Sequence, residues 1–374
     1  MIIPILPPMD RTTVPGRAGG LLLALVEHTM IRTLILTTSI CSAFFLQAQQ
    51  TGKEYVPALV GFYNLENLFD TLDSPDTDDR EFLPDAAKRW TAERYATKLE
   101  HMSRVIADIG TDIHPHGLAV IGLAEVENGS VMEDLASTPA LRGRGYRVAS
   151  HEGPDRRGVD VGFMYDPARF ELLSQSGHRL SLPNDTSFRT RDQLLMTGVM
   201  DGDTIHFMVA HWPSRRGGEK RSKPFRAAAG DLGRRVVDSL LAADPDARIV
   251  YMGDLNDDPV DPSVRRHLRT TAKPELAHDG FLFNPMEELY NKGVGTGAWR
   301  DTWNLFDQII ISPALVTGQG GRYKYYAARV YNRPYLQQTE GSFAGYPLRS
   351  FVGDVWQGGY SYHFPVFLVL VREK

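Results

Sequence analysis

The stretch that decides the fold is Arg248-Ile-Val-Tyr-Met-Gly253-Asp254-Leu-Asn256-Asp257-Asp258-Pro259. Its apolar run over residues 249–252 predicts a short buried strand, which the following glycine ends. Acids and an asparagine follow at once, before Asp-Pro turns the chain away. Open α/β sheets commonly bind ligands beyond the ends of their strands. We therefore predict that Asp254 and Asn256 belong to a metal or phosphate site, whereas Asp257 and Asp258 fit a solvated acidic turn equally well.

Strand-like and helical stretches alternate along the rest of the chain, without an internal repeat, a coiled coil or a long low-complexity linker. This alternation predicts one α/β domain over residues 52–374. A helix is predicted after Thr91, a favourable N-cap, because apolar residues then recur every three or four positions. Those apolar residues are Tyr95, Leu99, Met102 and Ile106. We predict further strands over residues 58–63, 118–124, 146–150, 159–165, 204–210, 305–312 and 363–371, and two more between residues 170 and 200. A short helix is predicted over residues 131–135, and another helix is predicted to have Pro224 in its first turn.

Composition limits the class of protein. The chain has 374 residues and a net charge of −5, so it can bury a large core and is not a basic module that coats nucleic acid. An enzyme that holds phosphate through a bound cation does not need a basic surface. We expect a monomer without a stable membrane span.

The N-terminal part resembles an export signal. Arg32 gives a charged start, residues 34–46 are apolar, and Ala48 precedes a polar stretch. This predicts a signal peptide over residues 30–48 and a periplasmic or extracellular protein. Residues 1–29 fit no targeting pattern, so we interpret them as a mis-assigned upstream segment, with translation starting at Met30. Cys41 is the single cysteine and does not follow a small residue, which argues against a lipid anchor and leaves the mature chain without disulfides.

Polar residues stand at the ends or starts of the predicted strands. One acid, Asp307, instead lies inside an apolar strand, where a carboxylate is costly unless it is paired. A histidine that it orients is its natural partner. Any one of these residues alone has an ordinary structural explanation, but their shared position predicts one site. The set is Asn64, Glu125, His211, Asp254, Asn256, Asp307 and His363.

This set favours hydrolysis of a phosphate ester. Oxygen ligands without cysteine suit Mg²⁺, Mn²⁺ or Ca²⁺. A bound cation neutralises charge on the phosphoryl oxygens, while a carboxylate or histidine activates water. The basic segment 215–226 follows His211, and its Arg215, Arg216 and Arg221 are candidates to hold substrate phosphate. A solvated lead-in to a helix explains that segment equally well.

With these residues in place, the chain resembles the endonuclease/exonuclease/phosphatase superfamily over about residues 57–371. The motifs that carry the resemblance are Tyr63-Asn64, Gly-Leu-Ala-Glu125, His211, Gly253-Asp254-Leu-Asn256, Asp307-Gln-Ile-Ile and His363-Phe-Pro-Val. The resemblance implies a DNase I-like α/β fold, a four-layer sandwich of two packed mixed β-sheets flanked by helices.

The resemblance also implies a role for each site residue. Asn64 and Glu125 would lie near the metal. Asp254 would activate or orient the attacking water, and Asn256 would bind the phosphate. His363, paired with Asp307, would act as general base or transition-state stabiliser. His211 would lie beside the scissile phosphate, and Asp160 would orient His211.

One position departs from the family pattern. The family usually has an aspartate directly before the last histidine, and this chain has Tyr362. A phenol cannot supply a carboxylate, which puts metal affinity or rate in doubt. Glu66, Asp354 or Glu127 are candidates to compensate.

Three functions remain open from the sequence. The first is an exported metal-dependent phosphodiesterase, most readily a nuclease acting as an endonuclease on nucleic acid. The second is a phosphomonoesterase, or an inositol-phosphate or lipid phosphodiesterase, on the same scaffold. The third is a catalytically weak binding module, which the tyrosine at position 362 favours and the retained site residues oppose.

Overall fold

Strands and helices alternate throughout residues 54–278, 280–318 and 321–374, which the computed structural model describes. The predicted upstream segment and signal peptide lie outside these residues. The helices are α1 (Ala92–Asp108), α2 (Gly129–Ser137), α3 (Glu219–Ala243), α4 (Met286–Asn291) and α5 (Pro313–Thr317), with a π-helical turn at Ser263–His267 and 3₁₀ turns at Arg80–Phe82, Arg142–Arg144, Pro274–Leu276, Pro334–Leu336 and Gly341–Phe343. No helix in the described part of the chain has the length and apolar character needed to cross a membrane.

Two mixed sheets contain most of the strands. In chain order the strands are β1 (Tyr55–Leu68), β2 (Leu118–Val126), β3 (Arg147–His151), β4 (Asp160–Tyr165), β5 (Phe170–His178), β6 (Gln193–Met200), β7 (Asp203–His211), β8 (Arg248–Asp254), β9 (Thr270–Thr271), β10 (Leu282–Phe283), β11 (Gly297–Trp299), β12 (Thr302–Asn304), β13 (Asp307–Ile311), β14 (Lys324–Val330), β15 (Phe351–Val352), β16 (Val355–Trp356) and β17 (Val366–Glu373). The first sheet has the order β14-β17-β1-β2-β4-β3 and the second β5-β6-β7-β8-β13-β10-β9. Strand pairs β1/β2 and β7/β8 are parallel, whereas β1/β17 and β8/β13 are antiparallel.

The two sheets pack face to face over a shared apolar core. Phe163 of β4 and Phe207 of β7 meet across it, with ring centroids 6.4 Å apart. The sheets approach so closely at Gly122 that an added Cβ would lie 2.6 Å from the Met252 sulfur. Such close packing is typical of protein interiors.

Helices cover the outer face of each sheet. Met102 and Ile106 of α1 are buried against the first sheet, and Tyr95 and Leu99 pack on the same cluster. Helix α3 buries Val237 against the second sheet. The predicted four-layer α/β sandwich of two mixed sheets is confirmed. The N-cap predicted for α1 is also confirmed, because the Thr91 side chain accepts a hydrogen bond from Arg94 N.

Several predicted boundaries were wrong. The last strand begins at Val366 rather than at His363, because Pro365 has no N–H and its carbonyl accepts from Tyr331 N outside the ladder. Asp307 opens β13 instead of lying within it. Helix α3 begins at Glu219, so Pro224 lies inside the helix instead of in its first turn.

Candidate active site

Three adjacent strands of the second sheet place their site residues side by side. Asp254 ends β8, and its register partners are His211 on β7 and Asp307 on β13. These pairings bring together residues that are far apart in the chain. The strand-end prediction for this half of the site therefore agrees with the observed positions.

The first sheet contributes Asn64 and Glu125. The Asn64 Nδ2 donates to Glu125 Oε1 at 3.2 Å and to Asp254 Oδ2 at 3.0 Å, which joins the two sheets across the site. Glu125 has a φ of 59°, in the left-handed region, at an irregularity in the pairing of β2 with β4. Non-glycine residues adopt this conformation at a cost, and they often do so at functional sites.

His363 and Asp307 form a buried pair. His363 Nδ1 donates to Asp307 Oδ2 at 2.5 Å, and the aspartate side chain is fully buried. Burial alone would lower the pKa of His363, but the carboxylates of Asp307 and Asp254 outweigh it and raise the pKa to about 9. The imidazole is therefore protonated at neutral pH, and its Nε2 lies 3.7 Å from Asp254 Oδ2.

Asp254 is the centre of the site. Burial raises the pKa of this carboxyl to about 6, although the nearby His363 opposes the shift. The neighbouring Asn256 has a φ of 51°, and its N–H donates to Asp254 Oδ1 at 3.0 Å. The Asn256 Nδ2 donates to Trp212 O at 3.0 Å, which fixes the amide at the cleft. Asp254 is thus an ionised acceptor near neutral pH, held in place by backbone and side-chain donors.

His211 lies beside the two carboxylates. Its Nε2 is 3.6 Å from Asp254 Oδ2 and 3.8 Å from Glu125 Oε1. Burial, followed by the charges of nearby arginines, lowers the pKa of His211 well below its usual value, so the ring is neutral. The expected orientation by Asp160 is wrong. The His211 Nδ1 has no hydrogen-bond partner among the described residues, and Asp160 Oδ1 accepts from Gly153 N instead.

A cleft of about 340 Å³ opens over these residues. Arg157, Arg191, Arg349 and the exposed Trp299 line it, and sequence reasoning missed all four. Arg191 is held by the carbonyl oxygens of residues 211 and 212 and by Asp155. These side chains come from separate loops and the β11–β12 hairpin, and no periodicity or spacing in the sequence marks them.

The basic segment does not line this cleft. Arg215 donates to Asp257 Oδ1 at 3.1 Å and to Asp261 Oδ2 at 3.0 Å. Its guanidinium therefore neutralises the acidic turn. Arg216 and Arg221 are exposed and also lie outside the cleft lining. The prediction that these three arginines hold substrate phosphate therefore has no geometric support.

The acids suggested as substitutes for the missing family aspartate are engaged elsewhere. Glu66 accepts from Ser350 N at 2.8 Å, and Glu127 accepts from Asp70 N at 2.7 Å. Asp354 pairs with Lys88 on the surface. Tyr362 itself reaches the site, since its hydroxyl donates to Glu125 Oε1 at 2.5 Å. Burial and the Glu125 carboxylate raise the pKa of this phenol well above its usual value.

The donor set fits a hard divalent cation. Asp254, Asp307 and His363 offer ligand atoms that all lie within 4.8 Å of one another, and Asp307 Oδ1 is buried without a hydrogen-bond partner among the described residues. Asp307 and His363 are already bonded to each other, so the carboxylates of Glu125 and Asp254 are better placed to hold an ion. Oxygen ligands of this kind are those that Mg²⁺ and Ca²⁺ prefer.

Solved structures share this fold. An endonuclease/exonuclease/phosphatase family protein from Bacteroides thetaiotaomicron is 16% identical with a TM-score of 0.51, covering 86% of this chain and 97% of that one. Truncated Caenorhabditis elegans TDP2 is 16% identical with a TM-score of 0.51, covering 84% and 97%. TDP2 of D. rerio, complexed with a single-strand DNA product, is 14% identical with a TM-score of 0.50, covering 84% and 98%. No curated protein sequence is significantly similar to the chain.

Two face-to-face mixed sheets with this cleft at the strand ends define a DNase I-like hydrolase fold, which supports action on phosphoric esters. The family model described as the endonuclease/exonuclease/phosphatase family matches residues 59–372. The chain belongs to this family, and the resemblance inferred from its motifs is confirmed.

Proposed function

We propose that the chain is a divalent-metal-dependent phosphodiester hydrolase that acts on nucleic acid. The observation that carries the proposal is a single cleft lined by Glu125, Asp254 and His363, with the buried Asp307 bonded to His363 behind the cleft wall. Glu125 and Asp254, with Asn64 beside them, would hold Mg²⁺, Mn²⁺ or Ca²⁺. A cation bound there supplies positive charge that neutralises the phosphoryl oxygens.

The residues of the cleft divide the proton chemistry between them. Asp254, with a pKa of about 6, is ionised at neutral pH and accepts a hydrogen bond from the attacking water, which orients it for attack. His363, with a pKa of about 9, is an imidazolium that donates from Nε2 to a phosphoryl oxygen, while Asp307 holds Nδ1. The neutral His211 supplies a second polar contact to the phosphate. Groups whose pKa values are pushed apart are typical of acid and base partners.

Two substrate classes have specific support. Arg157 and Arg349 beside the exposed Trp299 favour a nucleic acid strand, because a guanidinium binds phosphate and an indole stacks on a base. The volume of about 340 Å³ favours the alternative, a small phosphate ester such as a sugar phosphate. We place the nuclease first because two guanidinium groups and a stacking surface along one cleft suit the successive phosphates and bases of a strand.

A substrate panel tests the proposal. Single-stranded DNA, duplex DNA, RNA and a sugar phosphate are each incubated with the protein in EDTA, Mg²⁺, Mn²⁺ or Ca²⁺. We expect hydrolysis of nucleic acid that EDTA abolishes and Mg²⁺ or Mn²⁺ restores. Full activity in EDTA would end the metal proposal, and faster turnover of the sugar phosphate would favour the alternative. Nucleic acid binding without hydrolysis of any ester would leave a binding module.

Export and a monomeric state are also part of the proposal. They rest on residues 30–48 and on composition alone. N-terminal sequencing of the protein from its native host should find a start near Gln49, and recovery of an intact Met1 would contradict export. Light scattering of the purified protein checks the monomer.

A further inference from the structure

The phenol of Tyr362 occupies one hydrogen-bond acceptor site of Glu125, the carboxylate that the proposed function assigns to the cation. Glu125 Oε1 accepts from Tyr362 OH at 2.5 Å and from Asn64 Nδ2 at 3.2 Å. Glu125 Oε2 accepts from Asn67 N at 3.0 Å. A carboxylate offers about four lone-pair sites. Within the described residues, donors therefore fill both sites of Oε1 and one site of Oε2, which leaves Glu125 one site for a cation.

The backbone on either side of Tyr362 is fixed. Ser361 Oγ donates to Asn64 O at 2.7 Å, and His363 N donates to that same hydroxyl at 3.1 Å. The Tyr362 ring packs on the His363 ring with centroids 4.6 Å apart, and the Arg349 guanidinium lies 5.3 Å from its centroid. The ring also borders the cleft, so open space lies next to the phenol.

We propose that Tyr362 sets the cation affinity of the site by competing with the cation for Glu125. This inference rests on the proposed function, since it assigns Glu125 to an oxygen-ligated divalent cation. The phenol contributes a hydrogen and no negative charge, so it uses up acceptor capacity without adding attraction for the ion. Binding through both oxygens of Glu125 requires a donor to leave Oε1. Asn64 is fully buried outside the cleft lining, whereas Tyr362 lines the cleft, so we assign the departure to the phenol, and the free energy of its hydrogen bond is subtracted from the binding of the cation.

The test is the dissociation constant for Mg²⁺ and Mn²⁺, measured by titration calorimetry without substrate. Tyr362→Phe keeps the ring against His363 and Arg349 but removes the hydroxyl. Hydrogen bonds to charged groups are strong enough that its loss should tighten cation binding roughly tenfold or more. Tyr362→Asp, which adds a charged ligand, should tighten it further. Unchanged or weaker binding in Tyr362→Phe overturns the competition and makes the phenol a support for Glu125.

The matched control is Tyr323→Phe. The Tyr323 hydroxyl also donates to a carboxylate, Asp201 Oδ2, at 2.6 Å, and it lies outside the cleft. We expect its removal to leave cation affinity unchanged. An equal gain in the control would show a general effect of losing a phenol and would also overturn the proposal.

A measurement on the unaltered protein covers the case in which Tyr362→Phe does not fold. A phenol that loses its hydrogen bond to a carboxylate changes its own near-ultraviolet absorption. Saturating Mg²⁺ should therefore produce a tyrosine difference spectrum. No change at saturation overturns the proposal. Calorimetry also separates the two levels of inference. If Tyr362→Phe binds the cation more tightly but no ester is hydrolysed, the competition stands and the proposed function fails. If esters are hydrolysed but cation binding in Tyr362→Phe is unchanged, the proposed function stands and the competition fails.

Discussion

At the scale of single residues, the chemistry of His363 depends on its buried partner, Asp307. The notion that an acid in an apolar strand must have a partner follows from the cost of burying an unpaired charge. Their separation of 2.5 Å agrees with that expectation. Because Asp307 fixes one ring nitrogen of His363, the other nitrogen is left to face the substrate.

This pairing predicts the behaviour of three variants. His363→Ala should lower kcat by about a hundredfold or more, the usual scale for a group that acts on a proton in the transition state. Asp307→Asn should also lower it, because an amide lacks the negative charge that raises the pKa of His363 and keeps its ring protonated. The double variant should be little worse than the worse single one, since the two residues act as a unit. Steady-state kinetics measure all three, and losses that multiply would make Asp307 a structural acid.

Asp160 predicts a pH dependence of stability. Burial raises the pKa of its carboxyl to about 7 in the folded protein, although the Gly153 N–H opposes the shift. The unfolded chain releases this proton near pH 4. The folded state therefore binds more protons between about pH 4 and pH 7, and the free energy of unfolding falls as pH rises through that window.

Asp160→Asn should remove this fall in the free energy of unfolding, because an amide has no proton to release. The amide oxygen can still accept from Gly153 N. We expect the variant to be more stable than the parent by about 2–4 kcal/mol at pH 8, and nearly equal to it at pH 4. Urea unfolding at the two pH values measures the difference, with the acidic arm as the internal control. A variant that is less stable at pH 8 would show that the carboxylate has a charged partner.

The residues that sequence reasoning missed share one property. Arg157, Arg191 and Arg349 reach the cleft from loops whose paths depend on contacts far along the chain. The end of a strand can be predicted from the apolar run before it, whereas an arginine in a loop has no hydrophobic pattern beside it that indicates its position. The density of positive charge led to the opposite error, a substrate contact predicted where there is none. Arg215 lies in the most basic segment, yet it neutralises an acidic turn.

At the scale of elements, Gly253 explains why β7 and β8 can present His211 and Asp254 side by side. Gly253 pairs with Ala210 in the parallel register. A Cβ at Gly253 would lie 2.0 Å from the Ala210 carbonyl oxygen, which belongs to the backbone and cannot move aside cheaply. The glycine therefore lies within β8, one residue before its end, and permits close approach of the two strands.

Gly253→Ala should force these strands apart. We expect a loss of at least about 2 kcal/mol in the free energy of unfolding, with a fall in kcat because two site residues separate. Urea unfolding and kinetics measure the two effects. The control is Gly143→Ala, since a Cβ there would meet nothing within 4 Å. A stable, active Gly253→Ala would mean that the strand spacing relaxes without cost.

The lead-in to α3 gives a second prediction at this scale. Arg215 connects Asp257, Asp261 and the Asn256 carbonyl, so Arg215→Ala should lower the free energy of unfolding by about 1–3 kcal/mol. Arg216→Ala is the matched control, because that side chain is exposed, and we expect no measurable change. Urea unfolding compares the two. A rise in KM for nucleic acid in Arg216→Ala would restore the original assignment of the basic segment to the substrate.

At the scale of the whole molecule, the alternation of strands and helices predicted one α/β domain, and the resemblance carried by the motifs implied the sandwich of two sheets. The strand order was not predictable, because it depends on pairings such as Tyr55 with Glu373 that join the two ends of the described chain. No local pattern encodes which strand lies beside which. The site depends on this long-range order, since Asn64 and Glu125 come from one sheet and Asp254 and Asp307 from the other.

A site shared by two sheets predicts that cation binding stabilises the entire fold. The unfolded chain cannot hold Glu125 and Asp254 together, so a cation binds the folded state and shifts the unfolding equilibrium by mass action. At a Mg²⁺ concentration of 100 times the dissociation constant, the gain should be about 2.7 kcal/mol, seen as a rise in Tm by calorimetry. Glu125→Gln should lose most of this rise, because an amide lacks the charge that attracts the ion. The variant should remain folded in EDTA, since the amide oxygen can accept from Asn67 N while the amide nitrogen donates to the Tyr362 hydroxyl. An equal rise in the variant would place the stabilising cation elsewhere and would remove Glu125 from the metal site.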